Sequence, residues 1–329
     1  LLEATKQLKD KLQGAYAIAA LDHSDPNTLV LARHRSPLLI GLGEDENFAA
    51  SDPLALADLT NKFLILEDGD VAKISPNNVE VFDKNNKACT RDIQIIDIKS
   101  EAASKGDYKH FMEKEIYEQP NAILNTLDGR IGGDDVLENI FGEGSNDLFA
   151  KVKRIQITAC GTSLHAGRVA ANWFSAIAGL PTQIDYASEY RYKNPYVDKN
   201  TLLVTISQSG ETADTLAALR YAKDQNYLAS LAICNVPTSS LARESDFLLL
   251  TNAGPEIGVA STKAFTTQLT ALMLLTLSLA KASGTNPRLR ARVIQALRQM
   301  PDIVEKSLEL KDDIVDIASE IAQQDNALF

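Results

Sequence analysis

The sequence is poor in the residues that build disulfide frameworks and metal sites. Its three cysteines, Cys89, Cys160 and Cys234, are odd in number and far apart, which fits neither a disulfide framework nor the paired cysteines of a zinc site. A reducing cytoplasm is therefore the simplest compartment. No metal site is predicted either, because the four histidines are scattered and none forms an i, i+4 pair; they are His23, His34, His110 and His165.

An excess of positive charge and a long hydrophobic run are also lacking. The chain has 33 basic and 44 acidic residues, a net charge of −11, so a nucleic-acid or anionic-membrane partner has no global electrostatic support. No signal peptide is recognisable, and the longest apolar stretch, residues 269–280, is well short of the ~20 residues that span a bilayer. We therefore expect no nucleic acid and no membrane as partners, and we interpret this stretch as a buried helix.

The first part of the chain, residues 14–89, has the pattern of a β-rich domain. Short apolar or alternating runs are separated by turn signals, which is typical of antiparallel strands. Asp68-Gly69 and the sequence DKNN at residues 83–86 are both interpreted as hairpin connections.

A polar, charged segment follows and marks a change of domain. It is predicted to contain a helix that ends at Pro120, with the domain boundary near residues 97–106. The chain begins at Leu1 inside a helical pattern and stops in NALF, the start of a predicted strand. We therefore expect the sequence to be incomplete at both ends.

From residue 154 onward, strands alternate with helices, a pattern that predicts an α/β fold with a doubly wound parallel sheet. The loops that follow the strands are rich in hydroxyl groups, and none has the G-x-G-x-x-G or Walker fingerprint. The ligand is therefore not expected to be a dinucleotide, and no cofactor is predicted.

One of these loops, SQSGET at residues 207–212, has the features of an anion site. It follows an apolar strand and precedes a helix, so unpaired N–H groups of the helix's first turn should point towards a ligand there. Its hydroxyls add donors, and Gly210 permits a positive φ or a close backbone approach. The loop has no basic residue, and the helix dipole contributes only ~0.3–1 kcal/mol, or up to ~2 kcal/mol when partly buried. A serine-rich helix cap explains the loop equally well from these residues alone.

Other chemically active residues have an ordinary structural interpretation. Cys160 precedes a helix N-terminus, but the sequence places no base beside it, so a small packing residue is favoured. Glu256 and Lys263 flank the loop GVAST and could reach a ligand, although an exposed charge or a helix cap explains them equally well. Trp173 is assigned to the core.

Several long motifs, in order and spacing, resemble the isomerase half of the glutamine–fructose-6-phosphate aminotransferase family. They are CGTS at residue 160, SQSGETADT at residue 207, LAICNVPTSSLARESD at residue 231 and EIGVASTKAFTTQ at residue 256. The upstream stretches GAYAIAALD, SPLLIGLGEDENFAASD and FMEKEIYEQPNAI are similar to the closing part of that family's glutaminase domain and to its linker. The resemblance covers essentially the whole chain.

The resemblance implies a role in making glucosamine 6-phosphate from fructose 6-phosphate and glutamine, the first step of hexosamine synthesis. It also implies a cytoplasmic homodimer in which only the full-length parent uses glutamine. It divides the chain into the C-terminal part of an N-terminal-nucleophile glutaminase domain (residues 1–100), a linker helix with the first sugar isomerase domain (101–284), and helices leading into a second, truncated isomerase domain (285–329).

The resemblance also implies a substrate site made of neutral groups. Around the phosphate it places Ser207, Gln208, Ser209 and Thr212. Thr162 and Ser163 of the CGTS turn approach the sugar and its phosphate side, and Val259 lines the sugar through its backbone. The family's glutaminase nucleophile and its isomerase acid–base residues correspond to no position here, so no catalytic residue is assigned and the chain by itself is expected to be inactive.

Two alternatives remain at this stage. A stand-alone aldose–ketose isomerase would use the same phosphate loop, but it has no reason to carry the linker FMEKEIYEQPNAI. A sugar-phosphate-sensing module would need a DNA-binding partner domain, which neither the β-rich first part nor the charge of −11 supports.

Overall fold

A computed structural model describes residues 1–96 and 104–326. The chain divides into two compact units, Leu1–Gly106 and Asp107–Phe329. The predicted boundary region, residues 97–106, lies mostly outside the described residues, as do residues 327–329 of the predicted terminal strand. The assignment of each stretch to a glutaminase domain, a linker or an isomerase domain stays a prediction.

The first unit is built from antiparallel strands, as the alternating pattern predicts. In the described part of this unit, helix α1 (Leu2–Lys9) precedes nine strands: β1 (Tyr16–Asp22), β2 (Asp25–His34), β3 (Leu39–Leu42), β4 (Asn47–Ala50), β5 (Lys62–Ile65), β6 (Val71–Ser75), β7 (Asn78–Phe82), β8 (Ala88–Cys89) and β9 (Ile93–Ile95). They form two sheets, with strand orders β1-β2-β6-β7-β8 and β4-β3-β5-β9. The buried side chains of Leu31, Ile40 and Ile74 join both sheets in one core.

Of the two predicted hairpins, one is confirmed and one is wrong. The turn at residues 83–86 joins β7 and β8, which pair antiparallel. Asp68-Gly69 lies between β5 and β6, but these strands belong to different sheets, because β5 pairs with β3 and β9 whereas β6 pairs with β2 and β7. The turn therefore carries the chain from one sheet to the other.

The second unit alternates strands and helices. Its elements are α2 (Phe111–Leu127), β10 (Ile131–Gly132), β11 (Asp135–Val136), α3 (Ser145–Phe149), β12 (Arg154–Ala159), α4 (Gly161–Trp173), β13 (Thr182–Tyr186), α5 (Ala187–Tyr190), β14 (Thr201–Ser207), α6 (Ala213–Lys223), β15 (Ala229–Cys234), α7 (Ser240–Glu244), β16 (Phe247–Leu250), α8 (Lys263–Ala282), α9 (Pro287–Leu308) and α10 (Lys311–Ile321). The predicted strands and helices of residues 154–282 are confirmed, as are the two helices after residue 286.

The predicted doubly wound sheet is confirmed, and its strand order is β13-β12-β14-β15-β16, with all neighbours parallel. Every residue of β14 is buried, because helices cover both faces of the sheet. Val204 and Ile206 pack into the core shared with α4 and α8, whereas Leu203 packs with α6 on the opposite face. Trp173 packs against the first of these cores, as predicted.

Helix α2 runs through Pro120 to Leu127, so the prediction that it ends at Pro120 is wrong. Proline cannot donate the hydrogen bond that the carbonyl of residue i−4 would accept. Here that carbonyl, on Ile116, accepts a hydrogen bond from the Gln119 side-chain amide at 2.9 Å. The local replacement explains why the helix continues.

Helix α8 is longer than its apolar run suggested. It has 20 residues and is long and apolar enough, by length and composition, to cross a membrane. However, 72% of its most apolar 18-residue stretch is buried inside the protein. The prediction of a core helix is confirmed, while the argument that the segment is too short to span a bilayer does not apply to the whole helix.

Candidate functional site

The two hydroxyl-rich loops predicted to bind a ligand start side by side at the carboxyl edge of the parallel sheet. Strands β12 and β14 are neighbours, with Ala159 paired to Ile206, so CGTS and SQSGET leave the sheet at adjacent points. From β12 the sheet continues to β13 on one side, and from β14 it continues to β15 and β16 on the other. The pair β12–β14 is therefore the topological switch point of the sheet. Ligands of open α/β sheets bind in the crevice at such a point.

The SQSGET loop is held in shape by its own hydroxyl groups. Ser207, which is only 3% exposed, accepts a hydrogen bond from the Gly210 amide at 3.1 Å, and its hydroxyl lies 2.9 Å from that of Thr212. The Ser209 hydroxyl accepts from the Glu211 amide at 3.2 Å. Because each serine oxygen already accepts an amide hydrogen, its own hydrogen is the group left to donate.

These hydroxyls do not cap the helix that follows. Thr212 occupies the N-cap position of α6, yet its side chain makes no capping hydrogen bond. The first N–H groups of α6 have no intrahelical acceptor, as at any helix start. The geometry therefore argues against the serine-rich cap: the serine hydroxyls accept hydrogen bonds from amides of the loop itself, beside the N-terminus of α6.

The back of the loop is fixed to the next loop of the sheet, residues 235–240. Gly210 has φ +65° and lies so close to Ser239 that an added Cβ would be 2.1 Å from the serine Oγ. The carbonyl of Gly210 accepts from the Leu241 amide at 3.0 Å, and the Glu211 carboxylate accepts from the Ser240 amide at 2.6 Å. Glu211 thereby turns its charge to the N-terminus of α7.

Thr162 and Ser163 lie in the first turn of α4, which begins at Gly161, whereas the sequence pattern predicted them in a turn that precedes the helix. Thr162 is exposed and Ser163 is buried. Cys160 is the N-cap residue and its side chain makes no capping bond. Gly161 has φ +55°, a conformation that favours glycine and lets the chain turn sharply from β12 into the helix.

Val259 lies in the loop of residues 251–262 after β16, and its side chain is fully exposed. This loop comes from the edge strand, two positions from β14 in the sheet. Asn235 connects the two regions: its backbone amide donates to the Gln208 carbonyl at 3.0 Å, and its side chain donates to the Gly254 carbonyl at 2.7 Å. Asn235 is not among the residues predicted from the sequence, although its place directly after β15 matches that of the predicted loops.

Two charged residues, Glu256 within the Val259 loop and Lys263 directly after it, have structural partners. Glu256 accepts hydrogen bonds from the amides of Thr262 and Ala264, at 2.9 and 3.0 Å, and so caps α8. Lys263 is 3% exposed and donates to Glu118 of α2 at 2.6 Å. For Glu256, the helix-cap interpretation agrees with the geometry. Lys263 is neither an exposed charge nor a cap, because its buried amine forms an ion pair with the half-buried Glu118.

The cysteines and histidines form no reactive cluster. Burial raises the pKa of the Cys234 thiol to about 11, although a contact with Ser239 opposes this. Among the described residues, no group of three or more His, Cys, Asp or Glu side chains could hold a metal ion. The chemistry available at the carboxyl edge is therefore that of neutral donors: hydroxyls, amides and a helix N-terminus.

Comparison with known proteins identifies the class to which this sheet belongs. Residues 148–278 match the SIS domain family. The chain resembles the C-terminal domain of glucosamine-fructose-6-phosphate aminotransferase from Francisella tularensis, with a TM-score of 0.64 and 47% identity, over 65% of this chain and 60% of that one. The second unit thus carries a SIS domain.

The similarity to curated proteins extends over the full sequence. The chain is 49% identical over 329 residues to the glutamine–fructose-6-phosphate aminotransferase (isomerizing) of Idiomarina loihiensis, and 51% identical over 330 residues to that of Pseudomonas putida. Each match covers 100% of this chain and 54% of the relative. Over its whole length the chain is thus similar to glutamine–fructose-6-phosphate aminotransferases (isomerizing), and it spans about half the length of the curated relatives it matches.

Proposed function

We propose that this chain is the part of a glutamine–fructose-6-phosphate aminotransferase that holds the sugar phosphate. The SQSGET loop binds the phosphate of fructose 6-phosphate or glucosamine 6-phosphate. Thr162 and Ser163 approach the sugar, and the Val259 backbone lines it. In the whole enzyme, ammonia from glutamine and fructose 6-phosphate would give glucosamine 6-phosphate.

The observation that carries this proposal is the state of the loop hydroxyls. Ser207, Ser209 and Thr212 lie beside a helix N-terminus at the switch point, and Thr212 does not cap that helix. Each serine accepts a backbone amide hydrogen and can turn its own hydrogen to an anion. A hydrogen bond to a charged group is worth about 1.5–3 kcal/mol, so a few such donors can hold a phosphate without a basic residue in the loop.

The similarity along the whole chain favours the aminotransferase over the two alternatives. Neither a stand-alone isomerase nor a sensing module accounts for a first unit that also aligns with the aminotransferases. The reading frame upstream of Leu1 offers a separate test. A start of Met-Cys-Gly, with the cysteine as the N-terminal nucleophile of a glutaminase, supports the proposal, whereas a helix-turn-helix domain contradicts it.

Isothermal titration calorimetry with fructose 6-phosphate tests the site directly. Ser207→Ala and Ser209→Ala should each weaken binding at least about tenfold, since 1.4 kcal/mol corresponds to a factor of ten. Ser319→Ala is the matched control, because this serine donates to the Val315 carbonyl of its own helix, far along the chain from the loop. Neither the unsubstituted chain, called the parent below, nor the variants should bind unphosphorylated fructose.

Two results would contradict the proposal. A Ser207→Ala/Ser209→Ala double variant that binds fructose 6-phosphate as well as the parent would show that the phosphate lies elsewhere. A folded parent chain that binds no sugar phosphate would show that this segment does not hold the substrate.

We further propose that the whole enzyme is a homodimer in the cytoplasm. The proposal follows from the family resemblance and from the cysteine pattern, which suits a reducing compartment. Sedimentation equilibrium of the full-length protein tests the dimer, and a mass of one subunit at micromolar concentration would contradict it.

A further inference from the structure

A buried carboxylate from helix α2 supports the loop that carries Val259. Glu115 is only 2% exposed. Its Oε1 accepts hydrogen bonds from the amides of Ile257 at 2.6 Å and Gly258 at 2.8 Å, and its Oε2 accepts from the Thr262 hydroxyl at 3.3 Å. These bonds supply the partners that a buried charge requires. They also connect Glu115, in helix α2, to a loop more than 140 residues further along the chain.

Other groups fix the two ends of this loop. At its start, the Asn235 side chain accepts from the Ala253 amide at 2.8 Å and donates to the Gly254 carbonyl. At its end, Glu256 holds the amides of Thr262 and Ala264. Glu115 holds the middle, at the two residues that directly precede Val259.

The position of Gly258 shows how closely the loop backbone approaches the carboxylate. An added Cβ would lie 2.6 Å from the Glu115 Oε2, closer than non-bonded atoms approach. A side chain at residue 258 would therefore displace either the loop or a carboxylate that is itself held by three hydrogen bonds. The close contact and the two amide bonds together determine where the Val259 backbone lies.

We propose that Glu115 is a positioning residue for sugar recognition: its carboxylate fixes Ile257 and Gly258 and thereby places Val259 against the sugar. The inference rests on the proposed function, in which the SQSGET loop takes the phosphate and the Val259 loop takes the sugar. Glu115 then acts on the sugar contacts and leaves the phosphate contacts unchanged. This difference separates a positioning role from a general contribution to folding.

Two ligands separate the two effects. Fructose 6-phosphate reports both loops, whereas inorganic phosphate, titrated by phosphorus NMR, reports the SQSGET loop alone. Glu115→Ala should weaken fructose 6-phosphate binding at least about tenfold and change phosphate affinity less than about twofold, because two amides lose their acceptor. Glu115→Gln keeps an acceptor oxygen at the same reach and should stay within about threefold of the parent for both ligands.

Glu113→Ala is the matched control, because Glu113 lies on the same helix and pairs with Lys311 near the surface. It should bind both ligands as the parent does. Gly258→Ala perturbs the same contact from an exposed loop, which keeps the inference testable if Glu115→Ala does not fold. It should reproduce the selective loss of fructose 6-phosphate. Hydrogen exchange at the amides of Ile257 and Gly258 should be faster in Glu115→Ala than in Glu113→Ala.

Several results would overturn the inference. If Glu115→Ala and Gly258→Ala both bind fructose 6-phosphate as tightly as the unsubstituted chain, this contact does not place the sugar. Equal losses for fructose 6-phosphate and inorganic phosphate would show a structural role only. If the serine variants behave as proposed and the Glu115 variants do not, this inference alone fails. A parent that binds neither ligand removes the proposed function and this inference with it.

Discussion

Replacing Gly210 by alanine tests whether the SQSGET loop is held against the neighbouring loop as the structure shows. The change has two costs. A non-glycine residue at φ +65° costs about 1–2 kcal/mol, and the new Cβ would lie 2.1 Å from the Oγ and 2.5 Å from the Cβ of Ser239. Overpacking of this kind costs about 1–3 kcal/mol. We expect Gly210→Ala to lower the free energy of unfolding of the second unit by about 2–5 kcal/mol.

Two further variants separate these costs. Gly179 has φ +69° and open space where a Cβ would lie, so Gly179→Ala should carry only the conformational cost of about 1–2 kcal/mol. Combining Gly210→Ala with Ser239→Gly removes both clashing atoms. The double variant should therefore be more stable than Gly210→Ala by the overpacking cost of about 1–3 kcal/mol. A glycine in the N-cap position of α7 costs only a few tenths of a kcal/mol itself.

Urea unfolding followed by tryptophan fluorescence gives the measurement, because the single tryptophan, Trp173, lies in the second unit. If Gly210→Ala costs no more than Gly179→Ala, or if Ser239→Gly restores nothing, the contact between the two loops does not exist in solution. The conclusion that the back of the SQSGET loop is fixed to residues 235–240 would then be refuted.

Three further predictions follow from the same contacts. Glu256→Ala should destabilise the second unit by about 0.5–2 kcal/mol because α8 loses its cap, and urea unfolding that shows no change would exclude the capping role. Burial raises the pKa of the Cys234 thiol to about 11, so at pH 8 this thiol stays protonated. Mass spectrometry should find it unalkylated by iodoacetamide until urea unfolds the chain. Labelling of Cys234 at the rate of the half-buried Cys160 would contradict this prediction. We also expect residues 1–329 neither to hydrolyse glutamine nor to convert fructose 6-phosphate to glucose 6-phosphate, because a proton transfer needs a positioned acid–base group. Turnover in a coupled glucose-6-phosphate dehydrogenase assay that survives repurification and is lost in Glu256→Gln would assign the base to Glu256.

The local elements of this protein could be predicted because their signals are local. The apolar run at residues 202–206 and the helical spacing after Thr212 specify a strand and a helix whatever surrounds them. The same holds for the loops CGTS and SQSGET, whose place after parallel strands already puts them at one edge of a sheet. The fold class and the candidate phosphate loop were therefore accessible from the sequence alone.

The tertiary structure decided which of these elements meet. Nothing near Asp68-Gly69 shows that the strands before and after it join different sheets, because strand pairing depends on partners distant in the chain. Pro120 ends a helix by local rules, yet the neighbouring Gln119 replaces the missing donor. Glu115 has no local signal either, since its partners at residues 257–262 come into reach only when α2 packs beside α8. Sequence determined the elements through local conformational preference, whereas burial and long-range hydrogen bonding determined the site that they form.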